Sequence, residues 1–185
     1  MRSPKHDAVS YCHGRRHFLR ASSALAASVA LPAWAAAAPV RTLAFEHLHT
    51  GEGLDITYFF AGSYDDVALA AINHLLRDFR TGDVHPIARS LLDQLAHVHT
   101  AIGSDAPFQV ISGYRSPATN DMLHRRTGGV ASRSLHMDGM AIDVRLADTR
   151  SARLRDVAAS LRLGGVGYYA SSNFVHLDIG RPRQW

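Results

Sequence analysis

Three residue types in the second half of the chain suit metal chemistry. Ser134-Leu135-His136-Met137-Asp138-Gly139-Met140-Ala141-Ile142-Asp143-Val144 sets an imidazole and a carboxylate seven residues apart, across a glycine that lets the backbone fold back. Val175-His176-Leu177-Asp178-Ile179 supplies a second histidine near the C-terminus. Catalytic zinc takes three such protein ligands and keeps a position open for water. A site of this kind brings the pKa of bound water to about 7 and polarises a carbonyl, so an amide can be hydrolysed without a protein nucleophile. Asp178 stands two residues beyond His176, on the same face of a strand, and is the nearest candidate for a general base.

Each residue taken singly also has a plain structural reading. His136 fits a loop histidine, Asp143 a capping or salt-bridged carboxylate, and His176 a half-buried strand residue. Two histidines and one carboxylate also make the facial triad of non-haem iron enzymes. That triad normally begins with His-x-Asp and finds its second histidine downstream, whereas His176-Leu177-Asp178 is followed by seven residues without histidine. His47 and His49 share one strand face and form a weaker metal candidate, because no third partner is evident.

Positioning these groups requires strand ends and turns. Arg41 to His49 alternates Leu43, Phe45 and His47 against Thr42, Ala44, Glu46 and Leu48, which predicts a strand, and Leu54–Phe60 is its hairpin partner across Gly51-Glu52-Gly53. Apolar residues at spacings of three and four, among them Val67, Ile72, Leu75 and Leu76, predict a helix from Asp65 to Arg80, stopped by Thr81-Gly82-Asp83. Leu91, Leu92, Leu95 and Val98 mark a second helix, Ile87 to Ile102. Pro107–Ile111 reads as a strand delivering Ser112-Gly113-Tyr114-Arg115-Ser116 at its end, where scaffolds present functional groups. A short helix starts at Thr119 or Asn120, and a polar loop, Thr127–Ser134, follows. A third long helix, Ser151 to Arg162, is capped from Asp148-Thr149-Arg150; a glycine-rich strand, Gly164–Tyr169, and a last strand, Phe174–Ile179, complete the order. The expected class is α+β, with helices packed on one face of a mainly antiparallel sheet.

The N-terminus belongs to transport rather than to the fold. Gly14-Arg15-Arg16-His17-Phe18-Leu19-Arg20 precedes an alanine-rich run to Leu31, the pattern of a twin-arginine export signal. The apolar stretch ends at Pro32, short of the roughly 20 residues of a membrane span. Small-x-small sites at Ala33-Trp34-Ala35 and Ala35-Ala36-Ala37 place the boundary near residue 37, leaving a domain over 38–185 and implying a periplasmic location with the twin-arginine translocon as a transient partner. Residues 38–185 carry 15 basic and 15 acidic side chains, so the overall charge of +4 belongs to the leader and gives no support for nucleic-acid binding. Cys12, the single cysteine, lies in the same segment, so the domain has neither a disulfide nor a thiolate.

Ser112-Gly113-Tyr114-Arg115-Ser116, then Ser134-x-His136-x-x-Gly139-x-Ala141-x-Asp143, then Val175-His176-x-Asp178 before a tryptophan, resembles the zinc D-alanyl-D-alanine peptidase superfamily, which includes lysostaphin-type enzymes and the hedgehog domain. With Gly165-Val166-Gly167-Tyr168-Tyr169 and Ser172-Asn173-Phe174, the likeness is closest to the exported murein endopeptidase K group. The resemblance implies one zinc ion on His136, Asp143 and His176, and a peptidoglycan peptide as substrate. It further implies that Arg115 stabilises the oxyanion and binds substrate, and that Ser134 contacts substrate. It favours cross-link cleavage over D-alanyl-D-alanine carboxypeptidase action; a non-catalytic zinc-bearing peptidoglycan-binding module and a structural envelope domain are the rivals. Relatives often supply the base as Glu three residues before the last histidine or His two before it. Asn173 and Phe174 stand there, leaving Asp178 as the expected base, with orientation of His176 as its alternative role.

Overall fold

Strand β1 (Arg41–His47) sends Leu43, Phe45 and His47 inward, the alternation expected of it. It is followed by β2 (Gly53–Phe60), β3 (Ser63–Tyr64), α1 (Asp66–Leu75), α2 (Arg89–Ile102), β4 (Phe108–Ser112) and α3 (Pro117–Thr127). A single 3-10 turn, Leu135–Asp138, leads into β5 (Ala141–Leu146), α4 (Ser151–Leu161) and β6 (Gly165–Tyr169). After a second 3-10 turn, Ala170–Ser172, come β7 (Phe174–Asp178) and β8 (Arg183–Gln184). This computed structural model describes residues 39–127 and 131–185. The twin-arginine leader, its cleavage sites, and Gly128–Val130 of the polar loop lie outside the described residues.

The strands form one sheet in the order β3-β2-β1-β4-β5-β7-β6-β8. Five pairings are antiparallel; β1 with β4 and β6 with β8 are parallel. Helix stripes and inward strand residues share one apolar cluster: Ile72 of α1, Leu91, Leu95 and Val98 of α2 and Leu154 of α4 join Phe45, Phe108, Ile142, Val144, Val175 and Leu177. The α+β class expected from the sequence is the class observed. Side chains alternate across a strand, so Ile142, Val144, Val175 and Leu177 face the core while Asp143 and His176 point to the opposite face. None of the described helices is long and apolar enough to cross a membrane.

Two helix boundaries and one cap depart from the periodic pattern. Helix α1 stops at Leu75 rather than Arg80 because its continuation has other partners. The Leu76 carbonyl accepts from Tyr114 N at 2.7 Å, and the Asp78 carboxylate accepts from Arg80 N, Ser116 N and Ser116 Oγ. Val67, counted in its apolar stripe, is 80% exposed. Helix α3 begins two residues early, at Pro117, whose missing N–H costs nothing in the first turn, and Ser116 Oγ accepts from Thr119 N at 3.3 Å. Asp148 does not cap α4: it accepts from Ser104 Oγ, and the capping residue is Arg150, without a side-chain bond.

Candidate metal centre

Asp143 and His176 are direct register partners on β5 and β7, and Ser112 of β4 and Gly167 of β6 flank them in the same row. His136 arrives from the 3-10 turn. Gly139 closes that turn at φ 63°, a left-handed conformation that suits glycine, and its α-carbon lies against the Pro86 carbonyl so closely that a side chain would collide with it. His136 Nε2, Asp143 Oδ1 and His176 Nδ1 thereby meet. The separations are 3.2 Å between the imidazole nitrogens, 3.3 Å from His136 to Asp143 and 2.9 Å from His176 to Asp143. Among the described residues, this is the only group of three with metal-ligand geometry.

The second nitrogen of each ring fixes which atom faces inward. His136 Nδ1 donates to the Gly113 carbonyl at 2.7 Å, which turns Nε2 toward Asp143. His176 Nε2 donates to Asp178 Oδ2 at 3.1 Å, which turns Nδ1 toward Asp143. Such outer partners set tautomer and ring orientation in metal sites. The centre is electron-rich, and its charges show it. Burial pulls the His176 pKa down, but the bonds to Asp143 and Asp178 outweigh it and lift the value to about 9. Burial raises Asp143, and the two imidazoles more than reverse this, holding its carboxyl well below the usual range. These three side chains offer two imidazole nitrogens and a carboxylate oxygen within 4.8 Å of one another, a donor set that could hold a cation.

Arg115 is 8% exposed, with Nη2 3.5 Å from Asp143 Oδ2 and its backbone N donating to the His136 carbonyl. Its Nε is buried without a partner. Ser134 precedes the 3-10 turn and lines the same cavity of about 630 Å³, with Arg115, His136, Asp143, His176 and Trp185. Asp178 is fully buried, and both its oxygens are occupied: Oδ1 accepts from Gly165 N, Gly180 N and Arg183 Nη1, and Oδ2 from His176 Nε2 and Arg183 Nη2. Burial acts to raise its pKa, but His176, Arg183 and Gly180 hold it far below. Asn173 bonds to Ser151 Oγ, and Phe174 stacks on Tyr169 at 4.6 Å.

The weaker candidate pair does not assemble a site. His47 is wholly buried against Phe79, and His49 stacks on the same ring at 4.2 Å. Two contributors escaped sequence reasoning. Arg183 sits in a two-residue strand too short for any periodic signal, and Asp78 lay inside what reads as a continuous helix. The spacing Gly165-Val166-Gly167 was the available clue to Arg183, since bare glycines on one strand face leave room for something to lie across them.

A sequence model of the family described as peptidoglycan L,D-endopeptidase MepK matches residues 35–185. The chain is 42% identical over 145 residues to the peptidoglycan L,D-endopeptidase MepK of Escherichia coli strain K12, an alignment covering 78% of this chain and 80% of that protein. The Shigella flexneri protein of the same name matches to the same extent. The probable peptidoglycan L,D-endopeptidase MepK of Haemophilus influenzae is 40% identical over 146 residues, 78% of each chain. With the match running through the residues that build the centre, this chain belongs to the peptidoglycan L,D-endopeptidase MepK family.

Proposed function

We propose that this chain is a zinc-dependent peptidoglycan endopeptidase that hydrolyses peptide cross-links, with one zinc ion held by His136, Asp143 and His176. The observation that carries this reading is the convergence of two oriented imidazoles and a carboxylate at one wall of the cavity. Two histidines and one carboxylate, with the outer nitrogen of each ring already bonded, fit the ligand chemistry of catalytic zinc. When bound, zinc supplies a Lewis acid for the scissile carbonyl and acidifies water.

The protein's own groups do the rest. Arg115, buried and with an unused Nε donor, holds a guanidinium where negative charge develops on the carbonyl oxygen. Ser134 offers its hydroxyl to the substrate backbone from the cavity wall. Asp178 takes the role of orienting His176: a carboxylate held by Arg183 and two backbone N–H groups, with a strongly lowered pKa, is a poor proton acceptor near neutrality. Residues 1–37 act as a twin-arginine export signal, and the domain from 38 onward works in the periplasm.

Metal analysis of the purified protein and incubation with cross-linked muropeptides, with and without chelator, test the reading. Bound zinc and chelator-sensitive cross-link cleavage are expected. Release of terminal D-alanine alone reassigns the chain as a carboxypeptidase, zinc without cleavage reassigns it as a binding module, and absence of bound metal overturns the proposal.

A further inference from the structure

Gly165 and Gly167 lie in register with Asp178 and His176 on the neighbouring strand. A β-carbon on Gly165 would run into Arg183 Nη1 and both Asp178 oxygens, and one on Gly167 would lie 2.6 Å from the Trp185 indole. The bare strip on β6 is therefore filled by the last residues of the chain. Strand β8 adds parallel to β6, and Trp185 is anchored through its backbone, donating to Val166 O and accepting from Tyr168 N. Its indole Nε1 donates to Tyr169 Oη at 3.2 Å.

Backbone pairing alone would anchor this segment, yet its side chains converge on a single imidazole. Arg183 makes two bonds to Asp178, Nη1 to Oδ1 at 3.0 Å and Nη2 to Oδ2 at 2.7 Å. Asp178 accepts from His176 Nε2. The Arg183 guanidinium lies 4.8 Å from the Trp185 ring centre, and that ring lies 5.3 Å from the ring of His176. These contacts close a circuit, His176 to Asp178 to Arg183 to Trp185 and back to His176. A ring flip of His176 would put Cδ2 toward Asp143 and Cε1 toward Asp178 in place of the two nitrogens, and the circuit opposes it from both ends.

We propose that Arg183 and Trp185 are positioning residues for His176. Arg183 fixes the carboxylate that takes the Nε2 proton, and Trp185 packs against the remaining side of the ring, so that Nδ1 stays aimed at Asp143 and His136. The inference rests on the metal-binding reading of the site. Its consequence is that metal affinity is set partly by a segment that supplies no ligand.

The sequence contains two tryptophans, Trp34 and Trp185, so Trp34→Phe in the full chain leaves Trp185 as the only indole, placed to report on the centre. Metal-free protein titrated with Co2+ against a competing chelator is expected to show saturable quenching of its fluorescence. Arg183→Gln in this background moves the midpoint to roughly 10- to 100-fold higher free metal, and Arg183→Lys falls between, because lysine keeps the charge but loses the fork. Gly167→Ala, which displaces the indole while Arg183 and Trp185 both remain in the chain, weakens zinc retention in the same direction when read by a chromogenic chelator. Denaturant unfolding of the metal-free variants separates positioning from simple anchoring. Lowered metal-free stability with unchanged metal affinity overturns the proposal. Saturable quenching with the same midpoint in Arg183→Gln overturns it while the metal centre stands. No saturable quenching in the Trp34→Phe protein removes the centre and the inference together.

Discussion

Asp143 and His176 face each other as paired residues of two adjacent antiparallel strands, with Oδ1 and Nδ1 2.9 Å apart. Sheet geometry, rather than loop conformation, fixes two of the three proposed ligands relative to each other. A site built on strands is held within narrow tolerances. His136 comes from a turn, but that turn is pinned by the Gly113 carbonyl, by Arg115 N and by the contact between Gly139 and Pro86.

His136→Ala, Asp143→Ala and His176→Ala are each expected to lose zinc on dialysis and to reduce muropeptide cleavage to background. The core residues beside Asp143 and His176 point to the other face, so circular dichroism is expected to retain the folded spectrum. Zinc retained by any two of the three variants would remove the ligand assignment.

Asp178→Asn separates two roles. An orienting Asp178 predicts zinc affinity weaker by about 10- to 100-fold, with turnover largely recovered at saturating zinc. A general base predicts unchanged affinity and turnover lower by about 100-fold or more even at saturation. The bonds from Arg183 and His176 favour the first outcome, and zinc titration of activity distinguishes them.

Strands β1, β2, β4, β6 and β7, the helices α2 and α4 and the three converging residues were legible because each rests on a periodic or motif signal; β3 and β8, two residues each, carry none. Leu91, Leu92, Leu95 and Val98 recur at helical spacing and are all buried. The two-residue spacing puts His176 and Asp178 on one strand face, yet what Asp178 does there depends on Arg183, five residues on, whose approach is a tertiary event. Asp78 was hidden for a related reason. Local pattern continues the helix past Leu75, and only the Tyr114–Ser116 segment arriving from β4 makes the break favourable. Sequence periodicity records which face is buried, not which buried polar group receives a partner from a distant strand.

Asp78→Ala tests that buttress. The buried carboxylate accepts from Ser116 N at 2.9 Å and Ser116 Oγ at 2.7 Å, next to Arg115. Its removal leaves buried donors unpaired, and a loss of about 1–3 kcal/mol in denaturant unfolding is expected. Because Arg115 is carried by the same segment, kcat falls as well, while zinc content stays at one per chain. An unchanged kcat would confine Asp78 to stability.

Arg115→Ala is expected to keep zinc and to lower kcat by about 100- to 1,000-fold, the scale for removing one oxyanion donor, with a smaller effect on KM. Arg115→Lys does not restore it, since a flexible ammonium does not reproduce the fork near Asp143. A change confined to KM would make Arg115 a binding residue only.

The charge state of His176 gives the last prediction, in pH. In the metal-free chain its pKa is raised from the ordinary 6.5 to about 9; burial opposes the shift, and the bonds to Asp143 and Asp178 produce it. A raised folded value means that protonated His176 stabilises the fold fully below about pH 6.5, and that this contribution is lost as pH rises through 9. Asp143 and Asp178 carry the opposite sign, because their lowered values stabilise the fold above the ordinary 3.8 and are lost in acid. These three groups therefore contribute most to the metal-free fold between about pH 4 and 6.5, and loss of the His176 contribution lowers the unfolding midpoint in chelator between pH 7 and 9. Zinc takes the Nδ1 lone pair that the proton otherwise holds, so binding at pH 7 releases about one proton from His176. Calorimetry in buffers of different ionisation enthalpy measures that release directly; no proton released, or a chelator-treated midpoint that rises from pH 7 to 9, contradicts the competition of proton and metal for this one nitrogen.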